Sequence, residues 1–251
     1  RGNVWAGHYQ GRAYYYVDGA TGRILRTNDL TAIDYRPYGA VIDAQGILWT
    51  AGGDSTLRLD PSDNSMTKVA IGHTVYGLGL SRDGLLYISG WESTKLSRVN
   101  VLTGSKDWTI DGVYQSRGVA VTDDGDVWTA NSGPGTVTRW SRDGVIKAHI
   151  PVGNQPTGVA VDAEGKVWAV NLGDEYIHRI NPAYNTIDLT KRIIGGTHYG
   201  YSDMTGIVSR NATFRHGTWT LIHNSRFNGT PWGRVSWTGQ QPAGTEITVR
   251  A

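Results

Sequence analysis

The sequence has 251 residues, with 34 Gly, 10 Trp and 13 Tyr but two Phe, two Met and no Cys, and its 24 Lys+Arg against 22 Asp+Glu give a formal charge of +2. The lack of cysteine excludes a disulfide framework and any thiolate metal or redox site. No apolar run reaches the ~18 residues of a membrane-spanning helix, and the mixed charges form no basic block for nucleic acid. An apolar share of 39% is enough to build a core.

In chain order, the first strand-like segments are Val4-Trp5, Tyr14–Asp18 and Gly22–Leu25. From Pro37 a repeat sets in. Its leading glycines are Gly39, Gly77, Gly118 and Gly158, its turn glycines Gly46, Gly84, Gly125 and Gly165, and its aromatics Trp49, Tyr87, Trp128 and Trp168. A later anchor, Arg58, Arg98, Arg139 and Arg179, keeps the same phase. Within each unit, apolar and small residues alternate at period two on either side of a tight Gly-containing turn, as in Gly158–Asp162 and Val167–Asn171. The Arg anchor marks a third strand, and turns at Thr103-Gly104, Asp143-Gly144 and Tyr184-Asn185 lead to a fourth. Four antiparallel strands per ~40 residues is one propeller blade. The predicted fold class is therefore all-β, a β-propeller of four-stranded blades.

The N-terminal Arg1-Gly2-Asn3-Val4-Trp5 aligns with Gln45-Gly46-Ile47-Leu48-Trp49, so the chain starts inside a blade whose innermost strand is missing. His198–Gly206 resembles Pro37–Gly46 and is expected to supply that strand, closing a ring of five blades and removing two exposed edges. Six or seven blades remain open if others precede Arg1. The propeller is expected over residues 1–206. Residues 207–251 leave the repeat, and Gly217–His223, Arg234–Trp237 and Thr245–Arg250 read as three further strands, a C-terminal β-segment expected to belong to a truncated β-sandwich.

The stretch Val152-Gly153-Asn154-Gln155-Pro156-Thr157-Gly158-Val159-Ala160-Val161-Asp162 through Trp168-Ala169-Val170-Asn171 resembles the YVTN and NHL class of bacterial β-propellers. It is also similar to the virginiamycin B lyase-like group, with its P-x-G…D-G-x-[VIL]-W pattern. The resemblance covers residues 1 to about 206 and implies an exported or cell-surface protein of bacterial type. It does not carry lyase activity with it. The lyase resemblance implies a His/Glu site with magnesium in a W-F-T-E blade context, whereas the blades here read Trp-Thr-Ala-Gly, Trp-Thr-Ala-Asn and Trp-Ala-Val-Asn.

Quasi-symmetry places the residue before each leading glycine, namely Tyr38, Tyr76, Arg117, Thr157 and Tyr199, around the channel mouth on the inter-blade loop face. Tyrosines and an arginine there suit stacking and hydrogen bonding to a sugar or an acidic group. The candidate ligand-binding set is Tyr38, Tyr76, Arg117, Tyr199, His73, His198 and Trp91. His8, His73, His198, Glu92 and Glu175 are the side chains from which a His/carboxylate site would have to be drawn. No residue is assigned a catalytic role, and no metal or cofactor is expected. Asp123-Asp124-Gly125-Asp126 coincides with a repeat turn and lacks the length and terminal Glu of a calcium loop. The glycosylation patterns at Asn211 and Asn228 are read as coincidental.

The Arg anchors are expected to pair with polar groups between blades. The function expected from all this is a non-enzymatic binding or assembly module with a protein or carbohydrate partner on the loop face, and with self-association through the C-terminal segment. The alternative is a lyase or hydrolase with a His/Glu site on that face.

Overall fold

Strands form where β-branched and aromatic residues alternate, and they stop where Asp, Asn or Gly reverses the chain. The computed structural model describes residues 2–200 and, beyond them, 226, 227, 229–231, 233, 234, 236, 239, 247 and 248. It divides into two units, Arg1–Arg215 and His216–Ala251. In the first unit, β1 (Val4–His8), β2 (Ala13–Val17) and β3 (Ile24–Asp29) make a three-stranded sheet. Four four-stranded sheets follow. They are β4–β7 (Ala40–Ile42, Leu48–Gly52, Ser55–Leu59, Met66–Ala70) and β8–β11 (Leu78–Leu80, Leu85–Ser89, Lys95–Asn100, Ser105–Asp111). Then come β12–β15 (Ser116–Val121, Val127–Asn131, Thr136–Trp140, Ile146–Pro151) and β16–β19 (Pro156–Val161, Val167–Asn171, Tyr176–Asn181, Thr186–Arg192).

All pairings are antiparallel between sequence neighbours, as blades 1 to 5 of a propeller require. Among the described residues, blade 1 shows three strands. Residues 201–206 of the expected closing strand, the segment 217–223, residues 235 and 237 of the segment 234–237, residues 245, 246, 249 and 250 of the segment 245–250, and both Asn211 and Asn228 lie outside the described residues.

The innermost strands β4, β8, β12 and β16 pack against one another in sequence. They approach so closely that the leading glycines are sterically required. A Cβ on Gly77 would collide with the Arg117 carbonyl, and one on Gly118 would lie 2.9 Å from Gly158 Cα and 3.0 Å from the Thr157 carbonyl oxygen. Larger residues at these positions would force the blades apart.

The other repeat anchors form one device. In register, Trp49 faces Arg58, Tyr87 faces Arg98, Trp128 faces Arg139 and Trp168 faces Arg179. The first hairpin turn supplies the acceptor for the indole. Trp49 Nε1 donates to Asp43 Oδ2 (2.8 Å), Trp168 Nε1 to Asp162 Oδ2 (2.7 Å) and Trp128 Nε1 to Thr122 Oγ1 (3.1 Å). Asp43 also accepts from the Gln45 and Ile47 amides, and Asp162 from those of Glu164 and Lys166, so one carboxylate shapes the turn and holds the ring. The guanidinium lies over the indole, with Arg139 Cζ at 5.0 Å from Trp128 and Arg179 Cζ at 5.8 Å from Trp168. Asp124 and Asp126 turn to Arg139, which absorbs the acidic turn as structure.

The sequence pattern predicts that all four Arg anchors pair between blades, and two of them do. Arg98 donates to the Arg142 carbonyl (3.0 Å) and Asp143 (2.9 Å) in the next blade's outer turn, and Arg139 reaches the Pro182 carbonyl and Asn185 Oδ1 (2.9 Å). Arg58 and Arg179 instead pair inside their own blades with Asp60 (3.0 Å) and Asp188 (2.8 Å). Arg26 performs the crossing for blade 1, donating to the Pro61 carbonyl at 2.9 Å.

His73 departs from its expected place among the ligand-binding residues. It is buried in blade 3, where Nδ1 meets the Thr74 carbonyl (2.9 Å) and Nε2 meets Ser97 Oγ (2.8 Å). Burial lowers its pKa below the usual histidine value, opposed by the Thr74 hydrogen bond and reinforced by Lys106 and Lys95.

Arg139→Leu is expected to lower unfolding free energy by about 2–4 kcal/mol in urea titration. It strips an ion pair from Asp126, whose side chain is 5% exposed, while Lys147 at 2.6 Å softens the loss. Arg179→Leu should cost clearly less, and equal losses would refute the assignment. For His73 the unfolded chain binds the proton more readily, so stability is full above the unfolded value near 6.5 and falls as pH drops through it. His178, also lowered by burial, acts in the same sense. The melting temperature should therefore fall between pH 7 and 5, and His73→Gln should flatten that fall.

Candidate functional site

In blades 2 and 3 the residue before the leading glycine is fixed by the first hairpin's hydrogen bonds. The Tyr38 amide donates to Ala51 O (3.0 Å) and the Tyr76 amide to Ser89 O (2.9 Å), which set both phenols at the upper ends of β4 and β8. In blades 4 and 5 the register slips between Ser116 and Val119 and between Pro156 and Gly158, so Arg117 and Thr157 occupy bulges. The Arg117 carbonyl accepts the Ser89 hydroxyl from the neighbouring blade and anchors the backbone beneath its side chain.

Three of the predicted tyrosines converge. Tyr38 Oη lies 3.2 Å from Tyr199 Oη and 3.4 Å from Tyr76 Oη, and the Tyr76 and Tyr199 hydroxyls are also hydrogen-bonded. Burial, followed by hydrogen bonding to Tyr199, pushes both Tyr38 and Tyr76 above the usual tyrosine range, so both stay neutral and keep their protons. Arg117 stacks on Trp91 with Cζ 3.8 Å from the ring centre, and lies 5.8 Å from the rings of Tyr76 and Tyr199. Its Nε is buried with no hydrogen-bond partner. Trp91 is carried by the β9–β10 loop. There Glu92 adopts a φ of 62°, a left-handed conformation that is unfavourable for a side chain of this size.

The remaining predicted residues lie apart from this cluster or are occupied. Thr157 is fully buried. His198 turns its Nε2 to the Ile193 carbonyl at 2.8 Å, and Glu175 is paired with Arg192 at 2.7 Å. Among the described residues, no group of three His, Cys, Asp or Glu side chains is arranged to hold a metal.

Two contributors escape the repeat pattern. Tyr9, in the β1–β2 loop, packs edge-on against Tyr38 at 6.2 Å, and the Arg36 guanidinium lies 5.8 Å from the Tyr9 ring centre. With Tyr38–Tyr76 at 5.3 Å and Tyr76–Trp91 at 6.1 Å, they complete a continuous row Tyr9–Tyr38–Tyr76–Trp91 with a guanidinium at each end. Beside the row opens a cleft of about 540 Å³, lined among others by Arg12, Arg36, Asp54, Lys68 and the rings of Tyr9 and Tyr38. Tyr9 precedes Pro37, where the repeat sets in, so no repeat position marked it in the sequence. Arg36 carried a faint signal as the residue two before Tyr38.

No protein-family model and no curated protein matches the chain. Solved structures do. The chain is similar to a streptogramin B lyase (TM-score 0.68, 16% identity, 77% of this chain and 66% of that one). It is also similar to virginiamycin B lyase from Staphylococcus aureus (TM-score 0.66, 18% identity, 77% of this chain and 67% of that one). A functionally unknown protein from Desulfotomaculum acetoxidans aligns equally well (TM-score 0.66, 16% identity, 79% of this chain and 67% of that one). The chain spans 66% of the length of the streptogramin lyase. Identities this low establish the architecture alone: the chain is a β-propeller with the blade arrangement of the virginiamycin B lyase structures.

Proposed function

We propose that the chain is a non-enzymatic binding module, acting outside the cell or at its surface, that takes a carbohydrate or protein on the inter-blade loop face. The observation that carries this reading is the convergence of Tyr38, Tyr76 and Tyr199 beside the Arg117–Trp91 stack, at positions the repeat itself leaves free to vary. Neutral phenols and a guanidinium offer flat stacking surface and hydrogen-bond donors together, which suits recognition. The bacterial, surface-exposed setting belongs to the same proposal and rests on the sequence resemblance, and self-association through residues 207–251 rests on the strand pattern read there.

The test is titration of glycan and peptide panels by Trp fluorescence and calorimetry, with Tyr76→Ala compared against Arg142→Ala on the opposite face, where Arg142 pairs with Asp83 at 2.7 Å. Loop-face ligands should bind at least about tenfold more weakly to Tyr76→Ala, a loss of ~1.4 kcal/mol, and equally to Arg142→Ala. Equal effects of the two substitutions would refute the assignment.

The fold likeness favours one second reading, a lyase or hydrolase on the same face. One of the similar structures is a catalytically inactive virginiamycin B lyase with quinupristin. Incubating the chain with quinupristin and magnesium and following the ligand by mass spectrometry separates the readings. The binding module leaves the ligand unchanged; conversion, lost in Tyr76→Ala, would establish the enzyme.

A further inference from the structure

We infer that the ligand of the loop face is an acidic oligosaccharide, a chain of uronate-type sugars whose rings lie along Tyr9–Tyr38–Tyr76–Trp91 and whose carboxylates meet Arg36 and Arg117; this rests on the loop-face reading above. The row supplies open aromatic surface, since Tyr9 and Tyr38 are 45% and 44% exposed and Trp91 and Tyr76 are half-buried. Successive centroids lie 5.3–6.2 Å apart with the rings inclined 74°, 49° and 39° to one another, so the row is a stepped path of ring faces and edges rather than a single pit. Such a path suits a polymer whose successive pyranose rings turn relative to one another, each meeting its own aromatic face or edge.

The walls argue against an apolar peptide side chain as the anchor. Of the aliphatic residues, only Val75 lines the cleft; the other side chains there are phenols, hydroxyls and charged groups. A hydroxyl-rich ligand finds partners on such walls, whereas a leucine or phenylalanine would find no apolar pocket.

The charges select the acid. Arg12 is neutralised by Asp34 at 2.7 Å, and Lys68 Nζ donates to the Ile33 carbonyl at 3.3 Å. Asp54 is the remaining carboxylate of the cleft wall. Against it stand Lys68 and Arg36, and beyond them Arg117. Neither Arg36 nor Arg117 pairs with a carboxylate among the described residues, and Arg117 keeps its buried Nε without a partner. A partly buried guanidinium stacked on the Trp91 indole beside the rings of Tyr76 and Tyr199, with no carboxylate paired to it among the described residues, is an electrostatic vacancy for an anion, and its planar fork matches a carboxylate.

The experiment uses the whole chain and titrates oligogalacturonate, a neutral galacto-oligosaccharide of the same length, and dextran sulfate by calorimetry. Oligogalacturonate should bind at least tenfold more tightly than the neutral chain. Arg36→Gln, a change at an exposed residue that should leave the fold intact, and Arg117→Gln should each reduce that affinity about tenfold, and Tyr38→Ala likewise. Equal affinity for acidic and neutral chains overturns the acidic inference and leaves the loop-face reading standing, as does binding confined to peptides. Tighter binding of dextran sulfate that Tyr38→Ala does not weaken means simple ion exchange and also overturns the inference. Failure of every loop-face substitution to weaken any ligand would overturn both readings.

Discussion

The structure depends on an indole N–H finding its acceptor in the turn before it. Blades 2, 4 and 5 each place a Trp on the second strand and an Asp or Thr six residues earlier, at Asp43, Thr122 and Asp162. Burying a large apolar side chain is worth about 1.5–3 kcal/mol. Leaving its N–H without a partner would cost about 1–3 kcal/mol. The two are of the same size, so the turn oxygen decides whether the aromatic stabilises the blade at all. That same oxygen fixes the hairpin, and the facing Arg covers the ring. Sequence turn, blade core and, through Arg98 and Arg139, the seam between blades are therefore one linked feature. Blade 3 substitutes Tyr87, whose hydroxyl crosses to the Arg142 carbonyl at 3.0 Å, keeping the seam while dispensing with the indole.

This linkage explains why the fold was legible. The glycines, aromatics and arginines recur because identical geometry is demanded four times, and geometry demanded repeatedly leaves periodic residues. The division of labour among the arginines was not legible. Arg58 and Arg98 occupy the same register position, yet one turns to Asp60 in its own blade and the other to Asp143 in the next. What differs is where a carboxylate happens to stand nearby, and that is a property of neighbouring turns rather than of the repeat. The aspartates at 43 and 162 were visible, but as turn residues; their bond to the indole needs the three-dimensional course of the hairpin.

The site behaves in the opposite way. The residues before the leading glycines vary as Tyr, Tyr, Arg, Thr and Tyr, and at Tyr38 and Tyr76 a backbone bond to the first hairpin holds the position while the side chain faces the site. Locating them needed only the period. Knowing which would meet needed the ring: Tyr38 and Tyr199 are 161 residues apart and lie 3.2 Å from each other. Thr157, formally equivalent, is buried, with its hydroxyl donating to the Val170 carbonyl. His73 shows the limit of reasoning from residue type, since a histidine in an inter-blade loop was drawn into the blade once Ser97 and the Thr74 carbonyl satisfied both its nitrogens.

The electrostatic balance of the loop face follows from these same constraints. On the turn side of the blades, arginines meet aspartates because each hairpin needs an Asp, Ser or Thr to fold, and acids accumulate there as a by-product. On the loop side carboxylates also serve, as where Asp174 accepts the Asn154 and Tyr176 amides and Asp34 pairs with Arg12, but none pairs with Arg117 among the described residues. Arg117 rises there beside phenols that burial holds in their neutral form, and its charge meets aromatic faces instead of carboxylates. A guanidinium shielded in this way loses part of its hydration without gaining a counter-ion. Cation–π contact offsets that loss by only about 0.5–2 kcal/mol. The shortfall is what an arriving carboxylate would recover, so Arg117, unlike the loop-face guanidiniums of Arg12 and Arg192 that are already paired with Asp34 and Glu175, is the point on this face where an added anion gains most.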